Sequence, residues 1–140
     1  MAIELVPLGN LTFQLGTQSL LRTTPSGMRL ISELSAVEWT GERLRGQLRG
    51  AAAADWLIIG ADGIATLDIR FVLATDDGAI LYVHGPGRSD ASKGAGSAPS
   101  YFVPYIETDD PRYAWLNRTQ LIAKGQLTGT TVAFEVFEVR

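Results

Sequence analysis

Residues 65–84, ATLDIRFVLATDDGAILYVH, decide the fold, because their pattern sets both a hairpin and its register. The odd positions of the first half are Ala65, Leu67, Ile69, Phe71 and Leu73; the even ones are Thr66, Asp68, Arg70 and Val72. Side chains two residues apart share a face of a strand. One face is therefore wholly apolar, and the other carries Asp68 and Arg70. A two-residue Asp77-Gly78 turn would put Leu81 and Val83 on the Asp68/Arg70 face. A three-residue loop, Asp76-Asp77-Gly78, instead sets Leu73 opposite Leu81, Phe71 opposite Val83, Val72 opposite Tyr82 and Arg70 opposite His84. Only that register keeps one face apolar, and a slip of one residue would exchange the faces. Three-residue hairpin loops use a type I turn followed by a left-handed residue, for which glycine is suited. The apolar face is expected to be a barrel core or a subunit interface.

The rest of the chain repeats this character. MRLISELSAVEW (28–39), ERLRGQLRG (42–50), AILYVH (79–84), RTQLIAKG (118–125) and TTVAFEVFEV (130–139) alternate or are rich in β-branched and aromatic residues, with turn residues between them. Short strands at such intervals predict an all-β sandwich or closed barrel rather than βαβ units. The 140 residues fit one domain, residues 1–140, with no internal repeat and no linker. GPGRSDASKGAGSAPS (85–100) has no periodicity and predicts a long, mobile surface loop. In TDDPRYAWLNR, Asp109 or Asp110 can cap and Pro111 suits a first helical position, which predicts one short helix near 110–116.

Composition excludes several functions. Net charge is −3, and no basic stripe marks a nucleic-acid or anionic-membrane partner. With no cysteine and a single histidine, His84, neither thiolate chemistry nor a histidine-rich metal centre is available. No metal and no cofactor is expected. MAIELVPLGN lacks the basic and long apolar regions of a signal peptide, and no apolar run approaches the roughly 20 residues of a membrane helix. A cytoplasmic location is the expectation.

Four ordered motifs carry a resemblance: AAAADW (51–56), LDIRFVLATDDGAILYV (67–83), YFVPYIET (101–108) and RYAWLNR (112–118). In these the chain resembles domain-of-unknown-function family 3237, small bacterial and fungal proteins, over about residues 28–140. The resemblance implies a single antiparallel β-barrel similar to calycin-type barrels. It also implies small-molecule binding, or cyclisation, isomerisation or elimination without a redox cofactor. Ala52 and Ala53 stand where the family has paired glycines, Phe71 where it often has tyrosine, and Val103 where a basic residue is frequent.

Candidate site residues follow from the hairpin and the motifs. Asp68, Arg70, Tyr82 and His84 share one strand face, where acids and a histidine can move protons while Arg70 and Tyr82 stabilise negative charge. The alternative for this face is a solvated sheet surface with an Asp–Arg pair. Glu107, before the helix, is a second candidate base, or a capping acid. Asp55 and Trp56, after a run of small residues, can contact and wall a substrate. Tyr113, Trp115 and Asn117 can stack on and orient a planar one. Three functions remain: a small-molecule isomerase, cyclase or lyase; a non-catalytic ligand-binding barrel; and a structural or homo-oligomerising module.

Overall fold

The computed structural model describes all residues, 1–140. Ten strands and one 3₁₀ helix follow in chain order: β1 Leu5–Thr24, β2 Gly27–Thr40, β3 Gly46–Leu48, β4 Ala54–Ile59, β5 Ile64–Thr75, β6 Ile80–Asp90, β7 Ser100–Phe102, β8 Tyr105–Glu107, the helix Pro111–Arg118, β9 Leu121–Thr128 and β10 Thr131–Val139. Every pairing is antiparallel. The ring runs β1-β2-β4-β5-β6-β7-β9-β10 and returns to β1, so the sheet closes on itself as a barrel. Closure pairs the edges that an open sheet would expose to other chains.

The β5–β6 register is the one the alternation demands, with Leu73 opposite Leu81, Phe71 opposite Val83 and Arg70 opposite His84. The turn is three residues long. The Thr75 amide donates to the Ala79 carbonyl at 2.9 Å, and Gly78 takes a φ of +94°. Ala65, Leu67, Ile69, Phe71 and Leu73 are all buried, so the apolar face of β5 is core.

Three segments differ from what the sequence pattern suggests. The first part of 85–100 is not loop: β6 continues to Asp90 and stays paired with β5 as far as Ile64, which leaves only residues 91–99 as the connection. Its glycines serve close approach. A Cβ at Gly85 would collide with the Val103 carbonyl, and one at Gly87 with the Tyr101 carbonyl. The longest strand, β1, lies in a part of the sequence where alternation is weak. Beyond Gln14 it leaves β10 and continues with β2 alone, and from Gly16 to Thr23 every residue is exposed. ERLRGQLRG, in turn, contributes only the short β3.

The short helix is present over Pro111–Arg118, capped by Asp110, whose side chain accepts from the Arg112 amide at 2.9 Å. It closes one end of the barrel with Leu116, which is fully buried. Asp77 of the β5–β6 turn holds it there. The carboxylate accepts from the Tyr113 hydroxyl at 2.8 Å, and the Asp77 carbonyl accepts from Arg112 at 2.9 Å. Above this plug the interior is packed by Trp39, Phe71, Leu73, Leu81, Val83, Phe102 and Leu121. Phe13 lies edge-on to Phe71 (5.5 Å between centroids) and to Phe134 (5.4 Å), forming a floor across the barrel. No helix is long and apolar enough to cross a membrane.

Inward and outward residues of one hairpin differ accordingly in weight. Phe71→Ala is expected to cost about 3–5 kcal/mol of stability, and Tyr82→Ala on the outer face less than about 1. Urea unfolding of both variants checks this; equal losses would contradict the assignment of faces.

Candidate functional site

Beyond the phenylalanine floor the barrel is hollow. Inward positions at that end carry small side chains, Ser32, Ala65, Ser89 and Ser100, and leave a cavity of about 200 Å³. Leu34, Leu57, Leu67, Ile69, Val132 and Phe134 form most of its wall, and Ala91, Ala95 and Gly96 of the 91–99 connection border it. The Gly96 carbonyl accepts from Gln126 Nε2 at 2.6 Å, which ties that connection to β9. Gln18, on the part of β1 that runs past β10, stands exposed at the rim.

One ionisable side chain faces this cavity: Asp55. It sits on β4 with Leu57 and Ile59 on the inward period, opposite Ser32 of β2 and Ile69 of β5. Only 9% of Asp55 is exposed. Burial in these apolar surroundings pushes its carboxyl up to about 7, against the lowering effect of a hydrogen bond from the Asp68 amide; the Asp68 carboxylate nearby raises it further.

That hydrogen bond has a structural cause. The β4–β5 ladder pairs Asp55 with Ile69 and resumes at Ile58 with Thr66, skipping the residues between. In the gap the Asp68 amide donates to Asp55 Oδ1 at 2.9 Å, and the Trp56 carbonyl accepts from Arg29 at 2.9 Å. Asp55 Oδ2 has no protein partner. Every side-chain polar atom sealed from solvent does have one, so Oδ2 is open to the cavity. Ser32, buried beside it, accepts from Gln18 Nε2 at 3.3 Å, which leaves its hydroxyl proton free to donate inward.

The other expected site residues lie elsewhere. Asp68, Arg70, Tyr82 and His84 are brought together, but on the outer wall, because β5 turns its odd residues inward. Arg70 makes a two-pronged contact with Asp68 (2.9 and 3.2 Å) and lies over the Trp56 ring at 5.3 Å. Tyr82 and His84 stack at 4.7 Å. Trp56 points outward because its neighbour Asp55 points inward. Glu107 joins the same outer surface, with its side chain 70% exposed and 3.8 Å from His84 Nε2, so it lacks the shielding a buried base would have.

Tyr113, Trp115 and Asn117 belong to the closed end. Tyr113 is spent on Asp77, and Trp115 lies under the Arg43 guanidinium at 4.7 Å. Asn117 makes a reciprocal pair of hydrogen bonds with the Thr108 backbone at 2.8 and 2.9 Å. Helical geometry separates Trp115 from Asn117, which an extended chain would have put on one face. Ser32 and Gln18 are the site residues that the sequence reading missed. The available signal was polar Ser32 between inward Leu30 and Leu34.

The chain belongs to the family "Protein of unknown function (DUF3237)". The family model matches residues 3–139. The chain is 28% identical over 126 residues to the UPF0311 protein RPA1785 of Rhodopseudomonas palustris, covering 81% of this chain and 82% of that one. The crystal structure of RPA1785 superposes with a TM-score of 0.90 over 100% of this chain and 99% of that one, at 23% identity. A β-barrel-like protein of Acinetobacter baumannii AYE gives 0.87 at 26% identity, over 100% and 98%. A protein described as an enzyme from Penicillium herquei gives 0.69 at 17% identity, over 99% and 94%. These likenesses give the DUF3237 barrel its fold.

The raised Asp55 carboxyl has a consequence for stability. From its ordinary value of 3.8 up to about 7, the folded chain holds a proton that the unfolded chain has released. Stability therefore falls as pH rises through that window and levels off above it, by at most roughly 4 kcal/mol. Asp77, Asp90, Asp110 and Glu138, all held below their usual range by hydrogen bonds, act at lower pH. Asp55→Asn keeps an acceptor for the Asp68 amide and has no charge to bury. We expect it to be more stable than the parent at about pH 8 and close to it at about pH 5 in urea unfolding; a difference independent of pH would contradict the buried, titrating carboxyl.

Proposed function

We propose that this protein is an enzyme of acid–base chemistry, of isomerase, cyclase or lyase type, working without a redox cofactor inside the barrel cavity. The observation that carries the reading is the Asp55 carboxyl, which sits in an apolar cavity, has one oxygen free and titrates at about 7. A general acid–base group is most effective when its pKa lies near the working pH. The role first assigned to Asp68, His84 and Glu107 thereby passes to Asp55.

The chemistry proceeds as follows. Asp55 Oδ2, as carboxylate, takes a proton from carbon next to a substrate carbonyl. The C–H electron pair moves into an enolate, whose oxygen accepts the Ser32 hydroxyl. The proton on Oδ2 then returns. Where a C=C is conjugated with the enolate, return of the proton to its far carbon shifts the double bond and isomerises the substrate. If the enolate instead expels a β-leaving group, which departs with the proton, the reaction is an elimination. If the enolate attacks a second carbonyl in the same molecule, that oxygen takes the proton and a ring closes. The Asp68 amide holds Oδ1 throughout, so the carboxyl needs no reorientation between taking and giving. The Penicillium herquei protein that shares this fold is described as an enzyme.

A panel of small enolisable ketones in deuterated water tests this by NMR. Wild type is expected to exchange α-protons faster than buffer. Asp55→Asn should lower the rate about 10²–10⁴-fold, and Ser32→Ala about 10²-fold. Exchange that survives in Asp55→Asn at the wild-type rate would end the proposal. Ligand binding without any exchange, unchanged by that variant, would favour the non-catalytic barrel instead.

A further inference from the structure

We propose that the cavity selects an uncharged ligand of about ten heavy atoms, hydrocarbon over most of its surface, with one carbonyl or hydroxyl oxygen at the Asp55–Ser32 wall. This rests on the cavity being the functional site and names its substrate class.

Size comes first. An apolar cavity of about 150 Å³ accepts benzene. The cavity here is about 200 Å³, room for one ring with a short extension. Drug-sized ligands need about 300–1,000 Å³.

Charge comes second. None of the twenty residues lining the cavity is Lys, Arg or His. A carboxylate or phosphate ligand would therefore be buried with no cation beside it, and next to Asp55. Burying an unpaired charge costs far more than the apolar contacts around it return. An ammonium ligand fares better against Asp55 but has three N–H donors to satisfy. Asp55 Oδ2 and Ser32 Oγ can take two, and the third acceptor on that side, the Gln18 amide oxygen, stands at the solvent-exposed rim. The remaining hydroxyls, Ser89 and Ser100, are on β6 and β7, separated from β4 by β5, and Ser89 Oγ already bonds the Pro99 carbonyl at 3.3 Å. A lone ketone or hydroxyl oxygen matches what the wall provides: one carboxyl that donates when protonated, and one serine hydroxyl.

The placement of polarity comes third. The Asp55–Ser32 pair stands on adjacent strands, β4 and β2, while Leu127 of β9 and Val132 and Phe134 of β10 present hydrocarbon; Ser89 and Ser100 are the hydroxyls on the far side, on β6 and β7. A ligand with oxygen at one end and hydrocarbon at the other fits that division.

Three compounds on one bicyclic skeleton test this: 1-indanone, indane-1-carboxylate and 1-aminoindane, with affinities measured by protein-observed NMR titration at about pH 6, where the Asp55 carboxyl is mostly protonated and both ionic ligands stay charged. The ketone is expected to bind at least about tenfold more tightly than either ion. Ala65→Leu, which fills the cavity with an apolar side chain, should abolish ketone binding, and Asp55→Asn should retain it. Equal or tighter binding of the carboxylate or the amine overturns the assignment, as does failure of all three to bind at millimolar concentration. The catalytic reading fails separately: tight ketone binding with no α-proton exchange would sink it and leave the ligand class standing. A preference for the amine would overturn the ligand class without touching Asp55-dependent exchange.

Discussion

The inward face of β5 is the constraint on which the rest of the molecule depends. Five apolar residues at every second position must leave water together, and one turn length lets β6 match them. Asp76 supplies the extra loop residue and Gly78 the left-handed geometry, with φ +94°. From that register follow Leu81 and Val83 inside, and Tyr82 and His84 outside. The same turn places Asp77 under the helix, where it bonds Tyr113 and Arg112 and so seats the plug. Register, closure and plug are thus linked through three consecutive loop residues.

The barrel divides its interior between two kinds of side chain. Large residues fill the end nearest the plug, down to the Phe13–Phe71–Phe134 cluster. Small residues at the other end leave space, and into that space one carboxyl projects. Beside that carboxyl the β4–β5 ladder is open, and the Asp68 amide donates to it there. An acid kept half-protonated near neutral pH, with one oxygen fixed and one free, is suited to taking and returning a proton.

Much of the fold was legible because alternation reports burial directly. The all-β class, the hairpin and its register, and the helix near 110–116 all rest on local signals, while the choice of Asp110 over Asp109 as its cap came with the structure. The long β1 was less legible, since past Gln14 it is a two-stranded arm exposed on both faces and so carries no alternation. Gly85 and Gly87 read as loop because glycine serves flexibility and close approach equally. Only the crossing of β7 against β6 distinguishes the two. The site was read less well for a related reason. Chemistry-bearing residues cluster on the polar face of the hairpin, and that face turned out to be the outer wall.

By itself the sequence determined which residues share a face, since side-chain direction along a strand is a property of the backbone. Asp68 with Arg70 and Tyr82 with His84 follow from position alone. Only the tertiary structure decided which face encloses space. Closing the ring turned the apolar face inward and carried Asp55 in with it, beside Ser32 from a strand more than twenty residues away in sequence. An acid among leucines is a local pattern, but its desolvation, and so its proton affinity, is set by the walls that distant strands build around it.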